Sequence, residues 1–249
     1  VFVAHNDAQA FEDAIAGWRS TGGTGRPWII AETLYSMDGD CAPVDALAAI
    51  ARRHDGFLLF DEAHATGVYS ADGRGLAAHL EGAENLLTLH TCGKGLGVEG
   101  ALVCGAKALI DTLVNKARPF IFSTAPSPLM AVAVGAALER IAGAEGDHLR
   151  AELHSRIDAA ALHICQPLGL PAPASQILPV ILGDDRRTMQ IAAACQNAGF
   201  DVRGVRPPTV PAGTSRLRLS LTRNVKTDDI AALAQLLVPL VLARTEAAA

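Results

Sequence analysis

Phe57-Leu58-Leu59-Phe60-Asp61-Glu62-Ala63-His64 is an apolar run that stops abruptly at acid and imidazole. It follows the turn pair Asp55-Gly56, and four consecutive large apolar residues predict a short parallel strand covered on both faces. The flanking sequence keeps the same rhythm. Upstream, Trp28-Ile29-Ile30-Ala31-Glu32 predicts another buried strand. Between the two, Val44 to Arg53 predicts a helix, with Leu47 and Ile50 on one face and Pro43 at its start. Phe11 to Trp18 predicts a first helix, and Asn85 to His90 and Ala101 to Cys104 predict two further strands. Alternation of strand and helix over this length implies an α/β fold with a mostly parallel sheet, doubly wound or a related three-layer arrangement. In such sheets ligands collect at the carboxyl ends of strands, where Asp61 and Thr91 fall.

The later half has a different grain. A helix-rich stretch is expected from about Leu129 to His163, broken near Gly143 to Gly146. A strand over Gln176 to Leu182, a helix over Arg187 to Ala198, strands near Phe200 to Val205 and Arg216 to Leu221, and a last helix over Thr227 to Leu242 follow. This predicts residues 1–143 as the larger α/β domain and 144–249 as a smaller α+β domain.

Bulk properties exclude several classes. The chain has 249 residues, half of them apolar, with a formal charge of −5 and no Lys/Arg block, which argues against general nucleic-acid binding. The most apolar late stretch, Ile230 to Leu242, is interrupted by Gln235 and Pro239, so no membrane span is expected. Five cysteines without CxxC spacing suggest neither a zinc site nor a disulfide framework, as in a cytoplasmic protein with reduced thiols; no metal site is expected. Val1-Phe2-Val3 is neither an initiator methionine nor a signal peptide, and the chain is expected to be the later part of a longer protein.

Chemistry is suggested by separated residues taken together. Lys94 stands in Thr91-Cys92-Gly93-Lys94-Gly95-Leu96-Gly97, where glycines let the backbone approach a ligand closely. Alone it reads as a solvated loop lysine. Asp61 alone reads as a cap for the element that follows its strand, and His64 as a loop histidine. Ser36 lies in Ser-Met-Asp-Gly-Asp, which has strong turn chemistry. Arg216 and Arg218 alternate with Leu217 and Leu219, so the two arginines share one strand face, either solvated or suited to a carboxylate, and Arg206 is a second candidate. A lysine for a Schiff base, an acid for a pyridinium nitrogen and a cation for an amino-acid carboxylate are what pyridoxal phosphate requires. The rival reading of Asp61-Glu62-Ala63-His64 as a DEAH nucleotide-hydrolysis box needs a GxxxxGK[ST] loop, and the Gly93-Lys94 pair is followed by Gly95.

With Gly73-Arg74-Gly75, Phe122-Ser123-Thr124 and Arg206-Pro207-Pro208-Thr209-Val210-Pro211-Ala212-Gly213-Thr214 added, the chain resembles the α-oxoamine synthase family of fold-type I pyridoxal-phosphate enzymes over essentially its whole length, and most of all the biotin-pathway branch. The resemblance implies that Lys94 carries the cofactor and moves the substrate's α-proton. Asp61 would pair with the ring nitrogen, Ser36 and His64 would lie near the phenolic oxygen, and Thr91 would contact the phosphate. Ser123 and Thr124 would reach the phosphate of a neighbouring subunit in a homodimer, and Arg218, with Arg206 nearby, would take the substrate carboxylate. The implied reaction joins L-alanine to a pimeloyl thioester of coenzyme A or a carrier protein. Glycine C-acetyltransferase, 5-aminolevulinate synthase and serine palmitoyltransferase are the alternatives within the family, and an inactive fragment is the alternative outside catalysis. The chain departs from the family at Ala65, where glycine is frequent. The resemblance also implies a ring-stacking histidine and a phosphate-binding turn in an N-terminal region expected to precede Val1.

Overall fold

The computed structural model describes residues 1–243; positions 244–249 of the expected 144–249 domain, with their Ala-rich tail, lie outside the described residues. Two compact units are present, Val1–Tyr35 with Cys41–His148, and Ser36–Asp40 with Leu149 onward.

The first unit holds α1 (Ala8–Ser20), β1 (Trp28–Glu32), α2 (Val44–Arg53), β2 (Phe57–Asp61), β3 (Leu86–Thr91), β4 (Ala101–Gly105), α3 (Lys107–Lys116), α4 (Arg118–Ile121) and α5 (Pro128–Ala142). The sheet order is β1-β2-β3-β4. The first three strands run parallel and β4 is antiparallel to β3. Burial follows strand parity: Ile29, Ala31, Leu58, Phe60 and Leu86 pack with Ile15 of α1 and Leu47 and Ile50 of α2. Glu12 of α1 ties the end of α2 by accepting from Arg53 at 2.5 Å and bonding His54 at 2.6 Å.

The expected two-sided cover of Phe57–Phe60 is not what is found. Leu58 and Phe60 are buried while Phe57 and Leu59 are only half-buried, because α1 and α2 both pack on the Leu58/Phe60 face. On β1 the same alternation leaves Trp28 47% and Ile30 63% exposed, and Trp28 stacks on Phe57 with ring centroids 4.7 Å apart.

The helix α6 (Ala144–Ala160) continues through a π-helical turn (Ala161–Cys165) into α7 (Gln166–Leu168), which ends at Gly169 in the left-handed region. The second unit is completed by β5 (Ile177–Gly183), α8 (Asp185–Asn197), β6 (Arg203–Val205), β7 (Ser215–Ser220) and α9 (Thr227–Leu242). Its sheet is antiparallel throughout, in the order β5-β7-β6. Leu178, Val180, Leu217 and Leu219 point from this sheet into a core closed by Ile191 and Cys195 of α8, Ile230, Leu233 and Leu237 of α9, and Ile164 of the π turn. The fold class, a mainly parallel α/β part with a smaller α+β part, is the one expected from the sequence, whereas the units divide at 148/149 and the second includes Ser36–Asp40, where 1–143 and 144–249 were expected. No helix among the described residues is long and apolar enough to cross a membrane.

Candidate active site

Asp61 is the last residue of β2, paired with Glu32 of β1 and Leu89 of β3. Side chains alternate across a strand, so Asp61 shares a face with Leu89 and with Thr91, the last residue of β3. Both functional groups therefore sit at the carboxyl ends of adjacent parallel strands, where backbone groups of the ending sheet leave room for a ligand. Asp61 is held by its own loop: Oδ1 accepts the Ala63 N–H at 2.8 Å. Oδ2 takes no bond among the described residues.

From Thr91 the chain enters a tight turn. The Gly97 N–H donates to the Lys94 carbonyl at 3.1 Å and the Val98 N–H to the Cys92 carbonyl at 2.8 Å. Lys94 is thereby presented, exposed, from the head of the turn, and its Nζ donates to Thr91 Oγ1 at 3.3 Å. The turn leans on the loop after β2 so closely that a Cβ on Gly95 would lie 2.3 Å from the Thr66 carbonyl oxygen. Glycine at 95 is thus a packing requirement. His64 lies half-buried in that same loop, whose Ala65 and Thr66 N–H groups both donate to the Glu62 carbonyl.

The opposite parity carries a bracing network that the sequence reading did not foresee. Glu62 is fully buried. Its Oε2 accepts from Thr33 Oγ1 at 2.8 Å and the Leu76 N–H at 3.0 Å, and its Oε1 accepts the Ala77 N–H at 2.6 Å. The carboxylate therefore pins the end of β2 to the ends of β1 and of the Gly73–Ala77 loop. Continuing the Leu58, Phe60 alternation by one step would have placed Glu62 on the buried side, so the signal was present in the run itself.

His90 extends the brace. Thr66 Oγ1 gives its proton to the Glu62 carbonyl at 2.7 Å, so it must accept from His90 Nδ1–H at 2.8 Å. Nε2 is then the acceptor of the Thr88 hydroxyl at 2.9 Å. Burial, opposed by the charges of Glu62, Glu81 and Asp61, holds the His90 pKa below the usual histidine range. The folded state thus binds fewer protons than the unfolded state at mildly acid pH. Stability from this neutral imidazole is fully present above the unfolded-state value of about 6.5 and is lost as pH falls through and below it. His90→Asn keeps a donor to Thr66 without a titrating ring. Urea-unfolding free energies measured from pH 7.5 down to 5 should fall less steeply for this variant, by up to about 1.4 kcal/mol per pH unit. Parallel slopes would exclude His90 as the titrating group.

Ser123 and Thr124 follow α4 and are exposed, and the Ser123 hydroxyl is turned back onto the Pro119 and Phe120 carbonyls. The remaining predicted residues belong to the second unit. Arg206 is exposed just after β6. Arg216 and Arg218 do share a face of β7, but they differ in employment. Arg216 is buried and paired with Asp38 Oδ1 at 2.5 Å, whereas Arg218 is half-buried and donates from Nε to the Ser36 carbonyl at 2.7 Å and from Nη1 to Ser220 Oγ at 2.8 Å. The solvated-face alternative is thus excluded for Arg216. Its pairing with Asp38 was not foreseen, and nothing local in either segment announces a partner so distant in sequence.

Known proteins share the fold and much of the sequence. The profile of the family "aminotransferase class I and II" matches residues 1–237. The 8-amino-7-oxononanoate synthase of Cupriavidus metallidurans is 39% identical over 235 residues, covering 92% of this chain and 57% of its own length. That of Geobacter sulfurreducens is 41% identical over 220 residues, covering 87% and 55%. The chain therefore spans little more than half the length of these relatives. Among solved structures, serine palmitoyltransferase of Sphingomonas wittichii superposes with a TM-score of 0.84 at 22% identity, covering 96% of this chain and 59% of that one. The 8-amino-7-oxononanoate synthase of Francisella tularensis gives 0.79 at 24% identity, covering 95% and 67%. At these identities the two structures establish a common fold.

Proposed function

The chain belongs to the aminotransferase class I and II family, and on that premise we propose that the protein carrying it is a pyridoxal 5'-phosphate-dependent acyltransferase. It condenses L-alanine with pimeloyl-CoA or a pimeloyl carrier protein, releases carbon dioxide and the thiol, and forms 8-amino-7-oxononanoate for biotin synthesis. The observation that carries this reading is the grouping of Asp61, Thr91 and Lys94 at the carboxyl ends of β2 and β3. The names and identities of the relatives support the choice of substrates.

The residues fit the cofactor. Asp61 offers Oδ2 while Oδ1 is fixed by a backbone N–H, as a carboxylate must be to hold a proton on a ring nitrogen. Gly93 keeps its side of the turn open: apart from its two chain neighbours, the described residues bring the Val98 carbonyl oxygen, at 3.8 Å, nearest to a Cβ placed there. Bound there, pyridoxal phosphate supplies an electron sink for the substrate's α-carbon. The chain's own residues do the rest. Lys94 holds the cofactor and moves the α-proton, Thr91 directs its hydroxyl to the phosphate, and Asp61 keeps the ring nitrogen protonated. His64 and Ser36 serve the phenolic oxygen, and the planar Arg218 guanidinium, aided by Arg206, takes the amino-acid carboxylate. Exposed Ser123 and Thr124 serve a partner subunit's phosphate, so the working form is a homodimer, and its compartment is the cytoplasm.

Steady-state turnover of the full-length protein with L-alanine, glycine and L-serine, each paired with pimeloyl, acetyl, succinyl and palmitoyl thioesters, tests the assignment. L-Alanine with the pimeloyl thioester is expected to lead in kcat/KM, glycine falling by about 10- to 200-fold for one missing carbon. Glycine as the best amino acid would overturn the assignment.

A further inference from the structure

Residues of the second unit hold the Ser36–Asp40 turn at three of its carbonyls and at one side chain. Arg216 Nη1 donates to the Met37 carbonyl at 3.2 Å and to Asp38 Oδ1 at 2.5 Å, while its Nε donates to the Thr214 carbonyl at 3.0 Å. The fully buried Ser175 donates its hydroxyl to the Gly39 carbonyl at 2.8 Å. Gly39 itself has φ +70°, and a Cβ there would lie 2.2 Å from the Ile177 carbonyl oxygen, so the turn is seated directly on β5. The third arginine contact is the informative one: Arg218 Nε donates to the carbonyl of Ser36. Arg216 and Arg218 thus grip the same turn from one face of β7. The inner arginine, its side chain only 5% exposed, is neutralised by Asp38, whose side chain is 40% exposed.

We propose that Asp38 and Arg216 form a positioning pair: by fixing the turn they set the spacing between Ser36 and Arg218, and so the affinity for the amino-acid carboxylate rather than the rate of the chemical step. This inference rests on the assignment of Ser36 to the cofactor and Arg218 to the substrate. The physical reason is division of labour. A guanidinium whose Nε is committed to a backbone carbonyl is oriented by that carbonyl, and the carbonyl is only as fixed as its turn. Loss of the ion pair loosens the turn at Met37 and Asp38, and Arg218 then samples orientations of which a fraction can receive a carboxylate. A lower competent fraction raises the apparent dissociation constant in proportion.

The test uses Asp38→Asn in the full-length protein. Without cofactor, amide hydrogen exchange at positions 36–40 is expected to accelerate about a hundredfold while the amides of β5 keep their protection. With cofactor loaded, KM for L-alanine is expected to rise about tenfold with kcat within about twofold of the wild type. Asp38→Glu, which keeps the charge at a part-exposed position, is expected to recover most of both effects. If Asp38→Asn does not fold because Arg216 stays buried without its counter-charge, Arg216→Met removes the buried charge, leaves Asp38 part-exposed, and gives the same readings. Unchanged exchange would show that the pair does not hold the turn. Accelerated exchange with unchanged KM would show that it holds the turn without positioning Arg218. Absence of amino-acid turnover in the wild-type protein would overturn the functional assignment, and this inference with it, whatever the exchange data.

Discussion

Replacing Lys94 by alanine is expected to abolish covalent capture of pyridoxal phosphate while leaving the fold in place. The experiment is reduction of the cofactor complex of the full-length protein with borohydride, followed by mapping of the labelled peptide by mass spectrometry. Label belongs on Lys94 in the wild type and nowhere in Lys94→Ala. The fold should tolerate the change because Lys94 is exposed and makes one side-chain bond, to Thr91 at 3.3 Å, and such surface substitutions usually cost within about 0.5 kcal/mol. Turnover, in contrast, should fall by about 10⁴-fold or more, as for loss of a residue that both bonds covalently and moves a proton. Lys107 and Lys116 are the control sites. Lys107 is occupied by Asp111 at 2.6 Å one turn along α3, and label on either would remove Lys94 from its assigned role.

The second large effect is on stability. Glu62→Ala is expected to destabilise the protein by about 3–5 kcal/mol, since each buried donor left without an acceptor costs about 1–3 kcal/mol and the costs are not fully additive. Three donors lose this acceptor at once: the Leu76 and Ala77 N–H groups, and the Thr33 hydroxyl, which retains a long 3.4 Å bond to the Asp61 carbonyl. That loss is a large share of a typical folding free energy of about 5–15 kcal/mol. Glu62→Gln should cost less, because one amide oxygen still accepts, yet its NH₂ group then faces a backbone N–H. Urea unfolding of the three proteins gives the comparison. A loss below about 1 kcal/mol in Glu62→Ala would mean that the three donors find other partners.

Glu62 also shows what a sequence conveys and what it withholds. Strand positions were legible because short apolar runs bounded by turn residues are local signals: Phe57–Asp61, Leu86–Thr91 and Ala101–Gly105 all fall within a residue or two of expectation. Lys94, Asp61 and Thr91 could be linked because the glycine turn and the strand ends are short, self-contained signals. The helices Lys107–Lys116 and Arg118–Ile121 were not foreseen. Neither has a side-chain N-cap bond or a buried residue, so no apolar stripe marks them out. The roles of Arg216 and Arg218 were equally hidden. Two arginines at alternate positions look alike until a carboxylate 178 residues away selects one of them. Long-range pairing of polar groups has no periodicity, and only the folded chain reveals which cation is already spoken for.

The interlacing of the chain has a consequence for how this protein can change over generations. The second unit takes in Ser36–Asp40 from the middle of the sequence that builds the first. A single genetic crossover at positions 148/149 between diverged homologues would therefore give one parent's β7 the other parent's turn, and Arg216 would inherit whatever stands at position 38. Exchange of the unit as a working module needs the five turn codons to travel with it. Recombination should accordingly be tolerated best between parents that share the Asp38 and Arg216 pair, and drift at either position is tied to the other as if the two codons were neighbours.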